Sequence, residues 1–322
     1  MADKETALVQ TAAAGKLAKR EKKGSGFKQN IELFGLSLPG IVYLFIFSYL
    51  PMFGVIVAFK NYRYDKGILG SEWVGLKNFE FLFASENAWR ITRNTVMYSL
   101  SYIIIGTIAA LILAILLSQV NKRWVKVHQT VLFLPYFVSW VVVGYITLAF
   151  LDHASGFLNQ TLLSLGMTAH KWYFESGPWP YILILVHEWK AIGFGTLIYF
   201  AGIMGISGEY YEAARIDGAT RLQMAMKITL PLLTPLISIM LILSIGGIFR
   251  GDFGLHYFVP NNSPFTFAST DIIDTYVFRA LRELGDIGMS SATGLYQSVV
   301  GFFLVITANY IVKKINDDNA LF

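Results

Sequence analysis

Six stretches of the chain are continuous apolar runs long enough to cross a membrane, and polar segments separate them. A helix needs about 20 residues to span a hydrocarbon core of ~30 Å. The runs at 34–59, 93–118, 129–151, 179–204, 232–250 and 292–312 meet that length. None shows the alternation of apolar and polar positions that a barrel strand requires. The pattern therefore predicts an all-α membrane protein of six transmembrane helices. Pro39 and Pro51 in the first run mark a kink, or its entry and exit, and Pro135 near the start of the third predicts a tolerated kink in one helix. Residues 1–30 are polar and rich in Ala and Lys, which predicts a basic, flexible tail ahead of a transmembrane domain over 31–322.

Composition agrees: at 55% hydrophobic and 15% charged residues the chain is too apolar for a soluble domain. The net charge of +5 is read as a topology signal and not as a nucleic-acid surface, because the basic residues sit beside particular spans. Lys4, Lys16, Lys19, Arg20, Lys22, Lys23 and Lys28 precede the first span. Lys122, Arg123 and Lys126 follow the second without an acid, and Lys313 and Lys314 follow the last. These regions fall on one side, which predicts that both termini and residues 205–231 are cytoplasmic. Residues 60–91, 152–178 and 251–291 then lie outside; the first of these is an exception in carrying five basic residues, weakened by its length and its four acids. The basic tail is an orientation signal that can also meet anionic lipid headgroups. The first apolar run is too long, and lies too far into the chain, for a cleavable signal peptide. With no Cys, disulfides and thiolate metal sites are excluded, and no metal site is expected.

One polar, amphipathic segment is set between long apolar runs: GEYYEAARIDGATRLQMAMKITLP, from Gly208 to Pro231. Ser207 and Glu209 suit a helix start, since a hydroxyl caps free amides and an early carboxylate complements the helix dipole. Asp217-Gly218 breaks that helix, because Gly accepts the left-handed conformation. Thr220 and Gln223 read as a capping box that restarts it, and Pro231 suits the first turn of the next span. Ala213 and Ala214 leave one helix face without bulk, so a partner surface can approach closely. Glu212-Ala213-Ala214, then Gly218, Ile228 and Leu230-Pro231, stand at the spacing of the coupling loop in importer permeases. In these residues the chain resembles the permease subunits of type I ABC importers, Ser207-Gly208 being a departure where relatives often have Pro.

A second likeness lies ahead of the second span. Trp73-Val-Gly-Leu-Lys-Asn-Phe79 followed by Asn94-Thr95 resembles carbohydrate-importer permeases. Residues 271–297 and the closing Ala320-Leu321-Phe322 resemble the subgroup associated with complex oligosaccharides and polysaccharide breakdown products. The resemblance covers residues 35–322. It implies a non-catalytic, multi-pass subunit in the bacterial inner membrane that forms half of a sugar pathway. It also implies three partners: a second permease, a dimer of ATP-binding ATPase subunits docked on residues 205–231, and an extracytoplasmic solute-binding protein. Glu212, Ala213, Ala214, Asp217 and Gly218 would carry the coupling. The chain has no Walker A sequence, so ATP would be bound by the partner and no cofactor by this chain.

The fourth run holds His187-Glu188-Trp189-Lys190, and ionisable residues inside a membrane are costly enough to be functional candidates. Glu188 and Lys190 stand two apart and cannot pair on one helix face, so each needs another partner or a wet cavity. A substrate pathway and a structural network between helices both satisfy that requirement. His187-Glu188 is not a zinc-protease motif, since Ala191 stands where a second His is needed. Arg250 and Asp252, at the outer end of the fifth run, can meet a sugar or a binding protein; for Arg250 interfacial snorkelling is the alternative. The exposed aromatics Trp73, Phe79, Phe81, Phe83 and Trp89 predict an interfacial belt. An ion-coupled secondary transporter is the alternative from another class, and only the Glu188 region hints at its relay.

Overall fold

The apolar runs become helices because a backbone in hydrocarbon must satisfy its own amides and carbonyls. A computed structural model describes residues 26–315; the expected tail up to residue 25 and the closing Ala320-Leu321-Phe322 lie outside the described residues. Among the described residues five helices are long and apolar enough to cross a membrane: Leu33–Phe59, Glu86–Ser118, Trp179–Met204, Arg221–Gly246 and Ile287–Lys314. A sixth crossing results if Lys122–Phe137 and Trp140–Leu151, bent by 95° at their junction, count as one span.

The chain divides into two compact units, up to Ile56 and from Val57. The first is helical from Gly26, so helix begins ahead of the boundary expected at residue 31. It widens into a π-turn at Phe45–Tyr49, just ahead of Pro51, whose ring and missing amide cannot continue a regular ladder.

In the second unit, the second span begins at Glu86, seven residues before the apolar run, because Ser85 caps it by accepting from the Ala88 amide at 3.0 Å. Its two faces differ. Ile104, Ile108, Ile112 and Leu116 recur every fourth residue and are all more than half exposed. Ala110 and Ala114, on the other face, are buried against Tyr199, Ile203 and Leu233 of the fourth and fifth spans. Small residues at the interface and branched ones outside suit helices packed in lipid, where close approach supplies the attraction.

The third span departs from the expected continuous helix. Val138 and Ser139 are extended, and Ser139 caps a new helix at Trp140, accepting from the Val142 amide at 3.4 Å. Pro135 therefore sits at a break and not in a tolerated kink. The fifth span also differs in its entry. The helix restarted at Arg221 runs on into the span through a π-turn at Ala225–Thr229, which widens the ladder just before Pro231.

Segments 60–91, 152–178 and 251–286 gather at one end of this unit, in keeping with alternate crossings. Asn159, buried, gathers the carbonyls of Asp152, His153 and His170 and accepts from the Trp172 indole. Ser263 and Ser269 donate to the carbonyls of Tyr173 and Ser176. A core of Tyr98, Val143, Trp179, Leu183, Leu255 and Ile272 lies beneath. The aromatics expected as a belt divide. Phe81 stacks on Tyr276 at 5.0 Å and Phe79 packs on Phe59, whereas Phe83 and Trp89 are 79% and 71% exposed. Trp73 does both, stacking on Phe59 with its other side open.

Candidate functional site

A cavity of about 340 Å³ runs along the second, fourth and fifth spans. Four of the candidate pathway residues line it: His187, Glu188, Arg250 and Asp252. Glu188 is 9% exposed, and its Oε1 accepts from His187 Nδ1 at 3.1 Å. The His187 ring stacks on Tyr102 with centroids 3.8 Å apart. Tyr102 in turn reaches out of the spans, its hydroxyl 3.1 Å from His256 Nε2.

His256 lies in the short helix Phe253–Phe258, and its Nδ1 is 2.8 Å from the Thr270 carbonyl. A carbonyl only accepts, so Nδ1 carries a proton and donates. Burial pushes the His256 pKa down to about 4, which leaves Nε2 free to accept from the Tyr102 hydroxyl. A chain of contacts thus runs from Glu188 in the cavity to the segment around Thr270. The sequence shows neither Tyr102 nor His256 as special, because their partners are 154 and 14 residues away.

The other two candidates are not brought into the cavity. Lys190 donates to the Tyr136 carbonyl at 2.9 Å and lies 4.9 Å from the Trp140 ring. It thereby serves the carbonyl that the break in the third span releases. Trp189 is 45% exposed on a different face of its helix. Arg250 is exposed at the lip of the cavity, and Asp252 caps the Phe253 helix by accepting from the Leu255 amide at 3.2 Å.

A cluster that the sequence did not reveal lies at the end of the spans where residues 262–279 gather. Asp271, 1% exposed, accepts from Arg279 Nη2 at 2.7 Å and from the Thr275 hydroxyl at 2.7 Å, with Arg90 Nη2 at 3.7 Å. Arg279 also lies over the Phe267 ring at 3.9 Å. The Asn94-Thr95 pair explains itself here. Asn94 donates to the carbonyls of Asp271 and Ala268, and Thr95 accepts from the Ile273 amide, so these two side chains tie the 268–273 backbone to the second span.

At the opposite end, Gly208–Ile216 is a helix capped by Ser207. Gly218 has a φ of +79°, and the amides of Gly218 and Ala219 return to the carbonyls of Arg215 and Ala214, the double closure of a Schellman corner. Asp217 is the C-cap, its amide donating to the Ala213 carbonyl at 3.0 Å. The capping box of Thr220 and Gln223 is complete. Tyr211, unremarked in the sequence, bonds to Thr229 at 3.0 Å and ties the helix to the fifth span. Ala213 and Glu212 are exposed and Ala214 is half-buried; Glu212 forms no ion pair among the described residues. Behind the helix a second cavity, of about 910 Å³, reaches the ends of the second and fourth spans.

Residues 102–317 match the family described as "Binding-protein-dependent transport system inner membrane component". The chain belongs to this family. Protein LplB of Bacillus subtilis (strain 168) is 36% identical over 295 residues, covering 91% of this chain and 92% of LplB. The polygalacturonan/rhamnogalacturonan transport system permease protein YteP of the same organism is 35% identical, covering 89% of each. Among solved structures, a bacterial ABC transporter involved in the import of the acidic polysaccharide alginate shares the fold with a TM-score of 0.81 at 31% identity, covering 90% of this chain and 97% of that one. The same type of transporter has been solved in complex with an alginate pentasaccharide-bound periplasmic protein. Membership makes the chain a permease subunit of an ABC importer and a multi-pass component of the inner membrane.

Proposed function

We propose that this chain forms half of the pathway of an ATP-driven oligosaccharide importer, with a second permease, two ATPase subunits and an extracytoplasmic binding protein as partners. The observation that carries this reading is the pairing of a cavity among the spans, lined by His187, Glu188, Arg250 and Asp252 among apolar residues, with an exposed, rigidly cornered helix at one end. His187, Glu188, Arg250 and Asp252 are the pathway residues of this half. Glu212, Ala213, Ala214, Asp217 and Gly218 form the coupling segment, which ATP-driven closure of the ATPase dimer displaces. Because the fifth span continues directly from Arg221 through the π-turn, that displacement is carried into a cavity wall without an intervening loop. The relatives' carbohydrate substrates support the class of cargo, and the basic residues that flank the spans support a cytoplasmic 205–231 segment.

The test is uptake into proteoliposomes holding the purified four-part complex. Oligosaccharide uptake that requires ATP and the binding protein is the expected result. Uptake driven by a proton or sodium gradient without ATP would overturn the reading in favour of a secondary transporter.

A further inference from the structure

We propose that Glu188 is a specificity-determining residue of the pathway, set to accept a hydroxyl from a neutral sugar ring and to disfavour a ring that carries a carboxylate. The proposal rests on the import reading above. Its first support is the unequal use of the two carboxylate oxygens. Oε1 is taken by His187 at 3.1 Å, whereas Oε2 has no hydrogen-bond partner among the described residues and stays accessible, in a side chain that lines the cavity.

The second support is the way the carboxylate is seated. A Cβ at position 106 would stand 3.0 Å from Oε2, 3.4 Å from Oε1 and 3.5 Å from the carboxyl carbon. Glycine at this position lets the Glu188 carboxylate lie back against the second span; a side chain here would push it away by a few tenths of an ångström. His187, itself held flat on the Tyr102 ring, fixes the other oxygen. Glu188 is therefore held in one orientation from two sides, which a side chain merely tolerated in the bundle does not need.

The third support is the balance of donors and acceptors at this depth. The Tyr102 hydroxyl donates to His256, and the Ser244 hydroxyl donates to the Met240 carbonyl at 2.8 Å. Their protons are used, so they and Glu188 Oε2 offer lone pairs to a cavity whose lining also holds the Ser99, Thr107 and Tyr199 hydroxyls and the His187 ring. A sugar hydroxyl, a donor, matches that surface. A uronate carboxylate would bring a second acidic group beside Glu188, where like charges repel. Arg250, the cationic donor of this cavity, lies at its lip.

The experiment uses the full complex in proteoliposomes, with galactotriose and trigalacturonate as probes of matched length, each at saturating binding protein. Wild type is compared with Gly106→Ala, Glu188→Ala and Glu188→Gln, and uptake is expressed per ATP hydrolysed. Gly106→Ala and Glu188→Ala are expected to lower galactotriose uptake about tenfold through kcat, with the KM for loaded binding protein unchanged, whereas Glu188→Gln, whose amide oxygen still accepts, loses no more than about threefold. Trigalacturonate uptake is expected to rise in Glu188→Gln. Gly106→Ala removes no polar group, so it reads the seat of the carboxylate even where Glu188→Ala does not assemble. Wild-type uptake in both alanine variants, or wild-type uptake of trigalacturonate equal to that of galactotriose, would overturn the proposal while leaving the import reading intact. A wild-type complex that takes up neither neutral nor acidic saccharides in the presence of ATP would overturn the import reading, and this proposal with it.

Discussion

At the end where the second span meets residues 262–279, Asp271 is 1% exposed and is held by Arg279, Thr275 and the Asn94-Thr95 pair. At the other end Ile216 is 87% exposed, Leu222 72% and Tyr210 56%, and Glu212 stands free of any ion pair among the described residues. Both ends consist of short helices and tight turns, so local structure does not distinguish them. The difference lies in where their side chains find partners. One end pairs its buried charges within the chain, although Asp271 Oδ2 and Arg90 Nε keep no hydrogen-bond partner among the described residues. The other closes only its backbone, through caps and the Gly218 corner, and leaves its side chains for another subunit. Substitutions at the first end are therefore expected to act on the fold, and those at the second on transport.

The largest effect is expected at Asp271. Asp271→Ala would leave Arg279, a largely buried cation, with Asn262 and the Phe267 face as its remaining partners, a loss of about 3–5 kcal/mol. Thermal unfolding of the detergent-solubilised protein reads this directly, and Asp271→Ala combined with Arg279→Met is expected to recover part of the loss. An Asp271→Ala protein as stable as wild type would show that the cluster does not hold this end.

His256 gives the same end a pH dependence. Its folded pKa is depressed to about 4 from 6.5, so between those values the unfolded chain binds more protons than the folded one. Stability from this group is fully present above pH 6.5 and falls as the pH drops towards 4, by on the order of 3 kcal/mol in all. Comparing unfolding of wild type and His256→Gln across that window isolates the contribution; equal slopes would contradict it.

How much of this was legible in the sequence follows the same division. The coupling segment depends on neighbours a few residues apart, and Ser207, Gly218, Thr220 and Gln223 take up the roles that their spacing implies. The end around Asp271 depends on pairs such as Asn94 with Asp271, 177 residues apart, and a single sequence carries no signal for them. In the sequence nothing pairs Asp271 with Arg279, eight residues apart in a polar segment. The break in the third span was hidden for a related reason. Pro135 is compatible with a kink or a break, and the carbonyl that makes the break tolerable is satisfied by Lys190, 54 residues from it. In the fourth span, Glu188 and Lys190 looked alike as intramembrane charges; two residues of helix sent one to the cavity and the other to the break.

At the coupling end, Gly218→Val would force a β-branched side chain to a φ of +79°, at a local cost of about 1–3 kcal/mol. Ala213→Trp would leave the backbone alone and put bulk where a partner must approach. Both variants are expected to insert and unfold as wild type does, and to lose either ATPase association or transport per ATP hydrolysed. Co-purification and proteoliposome uptake separate those two losses. Wild-type uptake per complex in either variant would mean that 208–218 is not the coupling element.

The smallest effect sharpens the comparison most. Thr220→Ala removes the hydroxyl that accepts from the Gln223 amide at 3.3 Å and leaves the reciprocal bond from the Thr220 amide to Gln223 in place. Losing a cap of this kind costs about 1 kcal/mol, and the cost falls on the turn that restarts the helix. That turn leads straight into the π-turn and the fifth span, whose packing around Leu233 and Ile242 is unchanged. Amide hydrogen exchange is therefore expected to quicken about fivefold across 221–224 and to stay at wild-type rates beyond Leu230, with the unfolding midpoint hardly moved. Transport per ATP is expected to fall by a smaller factor than in Gly218→Val, since a frayed first turn transmits the ATPase motion less faithfully while the corner still stands. Were the whole molecule to lose stability with Thr220→Ala, as it is expected to with Asp271→Ala, the two ends would not be built differently, and the division drawn between them would fail.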